Sequence, residues 1–222
     1  MMSSFILAAL CVFALILVVV FGFINYKSQF NENEDEVESY SFLNCFPYEM
    51  QDNPKMKYSL IFRLAASLLG ASIAVFGIYQ FLIEFIYKGI LIHNIILALL
   101  FIINGLSIFL LNVLTIKNYK AHLVFASLLF VLTILLNFYL GYFVIIDLYE
   151  MYHEVYIYIF FIIGVTLLIS IFVTPLKKWM YLAKVEKDGE ISYKRKRIAI
   201  LPIMEWIFIF VNILLCIIIS FM

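Results

Sequence analysis

The chain has 222 residues, of which 66% are hydrophobic, and a mean hydropathy of +1.08. Soluble domains are only about half apolar. A chain of this length cannot bury the excess in one core, so a water-soluble globular protein is excluded and lipid is the remaining solvent. Lys plus Arg number 15, as do Asp plus Glu; no net basic charge points to nucleic acid, and only the placement of the charges is informative.

Six apolar runs follow one another along the chain, at 5–25, 58–87, 89–116, 121–146, 155–176 and 198–222. A spanning helix needs about 20 apolar residues. In lipid each backbone N–H and C=O must be paired within its own segment, which leaves helix as the workable conformation for single spans. Period-2 alternation, the mark of a membrane barrel, is not seen. The predicted fold class is therefore all-α, a polytopic integral membrane bundle of six transmembrane helices forming one domain over 1–222.

The first run follows Met1, Met2, Ser3 and Ser4, with no Lys or Arg. It is longer than the about 7–15 residues of a signal-peptide core, and no small-x-small cleavage site follows it, so a retained anchor is expected. The polar segment 27–57 carries an acidic patch, Glu32, Glu34, Asp35, Glu36 and Glu38. Its composition predicts disorder in its first half.

The second run shows the most regular face. Arg63, Gly70, Gly77 and Glu84 recur every seven residues, and Ala66 and Ala74 share their stripe. Small residues at this spacing let helices approach closely in lipid, so Ala66, Gly70, Ala74 and Gly77 form the expected helix-packing face. Arg63 and Glu84 lie about 31 Å apart along a helix, at about 1.5 Å per residue, and cannot pair. Arg63 is instead expected to form an intramembrane ionic pair with Glu205, which enters the last run at a similar depth. A carboxylate below the headgroups is costly unless paired or protonated. Pro202, one turn earlier, is expected to open the helix beside Glu205 and Trp206.

The connection 117–120 is short and basic, 147–154 short and acidic, and 177–197 long and basic. Six spans place every Lys and Arg except Lys88 on one side, which the positive-inside rule makes cytoplasmic. Both termini are then extracytoplasmic in a cell-membrane protein. Loop 177–197 is expected to meet anionic lipid, or a membrane or cytoplasmic protein partner. If helical, 176–187 is amphipathic, with Leu176, Trp179, Met180 and Ala183 on one stripe, and 187–190 reads as a turn.

On the outer side Glu84, His93, Asp147, Glu150, His153 and Glu154 make a candidate cation or proton site. Asn94, Asn104, Asn112, Asn137 and Asn212 lie within or near spans and suit either interhelical hydrogen bonds or a polar path. The three cysteines, Cys11, Cys45 and Cys216, form no C-x-x-C pair and signal neither a disulfide framework nor a metal site.

No phosphate loop, nucleophile elbow, metalloprotease helix or dinucleotide fingerprint is present. No catalytic residue, metal or cofactor is expected, and no family is recognised. Together these features point to a non-enzymatic structural or accessory component of a membrane assembly. The alternative is a small-molecule or ion transport subunit using Glu205, Arg63 and the intramembrane asparagines.

Overall fold

A computed structural model describes residues 2–30, 58–85, 90–113, 119–148, 154–173, 182–187, 190–195 and 200–222. Six helices carry the fold: α1 (Met2–Phe30), α2 (Ser59–Tyr79), α3 (Leu91–Val113), α4 (Tyr119–Asp147), α5 (Val155–Val173) and α6 (Ile200–Ser220). Each is long and apolar enough to cross a membrane. The first continues through Lys27 to Phe30, beyond the expected boundary, because extending a formed helix needs no new nucleus. The second ends in a π-helical turn, Gln80–Glu84, closed by the Phe85 N–H on the Gln80 carbonyl at 2.9 Å.

From α1 to α5 consecutive helices pack as neighbours, and α6 closes the bundle against α1, α2 and α4. In the most apolar stretch of α6, 61% of residues are buried, against 17% in α5. The last helix is therefore the most buried of the six, and α5 is peripheral, packing chiefly on α4. Directions alternate. Gly77 of α2 meets Phe101 of α3, while Gly70, earlier in α2, meets Gly105, later in α3. His93 of α3 meets Tyr139 of α4, and Asn104, later in α3, meets Thr133, earlier in α4.

The closest approach is between α2 and α3. A Cβ on Gly70 would stand 2.6 Å from both the Gly105 carbonyl oxygen and the Phe109 nitrogen; one on Gly105 would stand 2.5 Å from the Gly70 oxygen. These are backbone-to-backbone contacts that only glycine on both helices permits. Gly77 abuts the Phe101 ring, and Ala74 abuts Gly105. Ala66 faces elsewhere, in a cluster with Val18, Phe62, Ala65 and Trp206 that joins α1, α2 and α6.

Between α5 and α6 the chain forms a hairpin. Strand β1 (Leu182–Lys187) pairs antiparallel with β2 (Glu190–Arg195), with Lys187 opposite Glu190 and Leu182 opposite Arg195. The condition set for an amphipathic 176–187, that it be helical, is not met over its described part, 182–187. Val185, Ile191 and Tyr193 favour strand, and Asp followed by Gly at 188 and 189 is a sequence that favours a two-residue turn. Residues 174–181 lie outside the described residues, as does the acidic patch of the first loop.

Candidate functional site

Glu205 lies in the second turn of α6 and is 0% exposed. Its partner is one that sequence reasoning did not name. His122, in the first turn of α4 and 1% exposed, places Nε2 at 2.9 Å from Glu205 Oε1. An ionised carboxylate only accepts, so Nε2–H is the donor to it. The shared depth of the two residues was available in the sequence, since each begins a run that follows a basic connection. Only the neighbour relation between α4 and α6 was missing.

Pro202 does not open α6. The helix is continuous over Ile200–Ser220, and Pro202 sits in its first turn, where a missing N–H loses no helical bond. Arg63, the expected partner of Glu205, is exposed in the first turns of α2. Its neighbour Phe62 packs with Trp206, next to Glu205.

A second polar level lies deeper. Asn212 Nδ2 donates to Thr133 Oγ1 at 2.8 Å and to the Phe208 carbonyl at 2.9 Å. Thr133 Oγ1 reaches Asn104 Oδ1 at 3.4 Å, and Asn137 Nδ2 donates to the Thr133 carbonyl at 2.8 Å. Asn104, Thr133, Asn137 and Asn212 are all fully buried. Thr133 is 11 residues beyond His122, about 16 Å along α4 at about 1.5 Å per residue. The cluster therefore sits near the midpoints of α3, α4 and α6. Asn104 Nδ2, Asn137 Oδ1 and Asn212 Oδ1 make no hydrogen bond to the described residues.

Comparison with family models, curated proteins and solved structures gives no match. What the interior can do rests on its own chemistry.

Between the two polar levels, Phe130 of α4 and Phe208 of α6 put their rings 4.5 Å apart, centroid to centroid. The ionic pair and the amide cluster are thus stacked along one helix–helix seam with an aromatic pair between them.

The outer candidate residues have separate partners. Glu84 accepts a hydrogen bond from Ser4 Oγ. His93 Nδ1 is 2.7 Å from the Tyr139 hydroxyl, and Glu154 is exposed. Glu150 and His153 lie outside the described residues, as does the Asp147 side chain. Among the described residues no group of three or more His, Cys, Asp or Glu is placed to hold a metal ion. Of the other amides, Asn94 Nδ2 donates to the Phe85 carbonyl at 2.9 Å, beside the π turn, and Asn112 Nδ2 to its own helix at Ile108.

Proposed function

We propose that the chain is a multi-pass membrane protein acting as a proton-linked transport subunit, with Glu205 and His122 as its proton-exchanging pair. One observation carries this reading: the pair is wholly buried in the bundle. Ionisable groups inside a membrane are expensive, and where they persist they commonly serve proton relays or ion paths. A proton can shift within the pair between two neutral-sum states, and taking up or giving away one proton changes the pair's charge by only one, so it can serve as a relay station in lipid. The amide cluster at Asn104, Thr133, Asn137 and Asn212 supplies the next polar station, and the Phe130–Phe208 pair separates the two. Purified protein in liposomes with an imposed potential and an internal pH dye should show proton flux. Glu205→Gln should reduce it by about tenfold or more; equal rates for variant and wild type would remove the proposal.

The charge asymmetry supports a cell-membrane orientation with both termini outside and the hairpin β1–β2 at the cytoplasmic leaflet. The basic residues of 177–197 would there meet anionic headgroups. A tag on the carboxyl end should react with an impermeant reagent on intact cells; protection until the membrane is permeabilised would reverse the orientation. The pairing of Arg63 with Glu205 stays part of this proposal, and its test is given with that of the His122 contact below.

A second reading, an accessory component of a membrane assembly, has α5 in its favour. That helix leaves Tyr158, Ile162, Ile169, Phe172 and Val173 exposed. Mild-detergent purification after chemical crosslinking should then capture a stable partner. Recovery of the uncrosslinked single chain would leave the transport reading alone.

A further inference from the structure

Two thiols that the polar seam does not use meet where α1, α2 and α6 converge. Cys11 on α1 and Cys216 on α6 are both free and both 0% exposed. The register of these antiparallel helices is fixed on either side of them. Toward one end Phe5 meets Phe221 edge-on, with centroids 4.9 Å apart. Toward the other, Val18 shares a buried cluster with Trp206. Cys11 lies six residues past Phe5, and Cys216 five before Phe221. At about 1.5 Å of rise per residue the two reach the same level. Both belong to one buried cluster, near enough for their side chains to interact, with the Ser72 hydroxyl of α2 beside Cys11; that hydroxyl donates to the Leu69 carbonyl at 2.9 Å. Single cysteines in apolar spans are ordinary packing residues. Two at one level on the first and last helices, with a hydroxyl nearby, differ from that ordinary case by lying within reach of each other.

We propose that Cys11 and Cys216 are an oxidisable pair that closes to a disulfide joining α1 to α6, with hydrogen peroxide as the oxidant. Complete burial selects a small neutral reagent over bulky ones. One thiol, as its thiolate, attacks a peroxide oxygen: an S–O bond forms, the O–O bond breaks, and the departing hydroxide takes up a proton as water. The facing thiolate then displaces the sulfenic hydroxyl: the S–S bond forms, the S–O bond breaks, and a second water leaves. The two thiols lose two electrons and two protons, and the peroxide is reduced to two waters. The product fixes the last helix to the first and holds the bundle closed.

The test is intact-mass spectrometry of the full chain in lipid nanodiscs, treated with hydrogen peroxide, denatured without reductant and labelled with N-ethylmaleimide. The chain has three cysteines. Untreated protein should take three adducts, oxidised protein one, on Cys45, and dithiothreitol should restore three. Peptide mapping of the oxidised wild type should show a Cys11–Cys216 bond, so the test does not depend on a variant folding. Cys11→Ser and Cys216→Ser should each keep two adducts after peroxide, and Cys45→Ser should fall from two to none. Three adducts after peroxide would overturn the proposal. So would a bond that consumes Cys45, a disulfide-linked dimer, or oxygen added to sulfur without a crosslink.

Discussion

His122→Leu is expected to destabilise the bundle by about 3–5 kcal/mol, because it leaves the Glu205 carboxylate buried without its imidazole partner. Glu205→Leu should cost a similar amount through the stranded imidazole. The double variant should recover most of the loss, since well-packed apolar side chains in place of a buried ion pair are often neutral or stabilising. Thermal unfolding of the four purified proteins in one detergent measures this cycle directly. If the two single losses simply add in the double variant, the 2.9 Å contact has no energetic weight. Arg63→Gln, introduced in the wild type and again in Glu205→Leu, tests the other proposed partner. An equal effect in both backgrounds would show that Arg63 and Glu205 are uncoupled.

The second large effect is expected at the α2–α3 crossing. Gly70→Ala should cost about 1–3 kcal/mol, the usual range for overpacking, or more. Its new methyl would meet backbone atoms at 2.6 Å on α3, and neither helix yields without moving as a whole. Gly70→Leu should abolish accumulation of the folded protein. Ala71→Leu, one position away and exposed, should leave abundance and melting temperature unchanged. The comparison separates a contact effect from a general response of α2 to larger side chains. A Gly70→Leu protein with wild-type melting behaviour would mean that the helices do not cross here.

Much of the helical framework was legible because lipid imposes a coarse and strict rule. A span needs about 20 apolar residues and internal hydrogen bonds, and both show in composition alone. The small residues of α2 were equally visible, since close approach leaves a spacing. What remained hidden depends on which helix stands beside which. Glu205 is an obvious intramembrane carboxylate, yet its contact with His122 requires α6 to lie against α4 across 83 residues of chain. Similarly, the five asparagines were evident as candidates. Only helix rotation decides that Asn104, Asn137 and Asn212 gather around Thr133 while Asn94 turns to the Phe85 carbonyl. At 182–187 the sequence left helix and strand open, because a polar stretch outside lipid is free to choose strand, and a few apolar residues fit a helical stripe as well as a ladder.

The position of α6 bears on how the protein is made. It follows the other five helices in the chain, yet it is the most buried of the six. During synthesis the earlier helices meet one another first, with His122 and Thr133 awaiting partners that have not left the ribosome. The early bundle must therefore keep a slot open, or part to admit the late arrival. Ribosomes stalled before residue 200 would hold a membrane intermediate with polar groups facing lipid, a target for the cell's quality-control proteases.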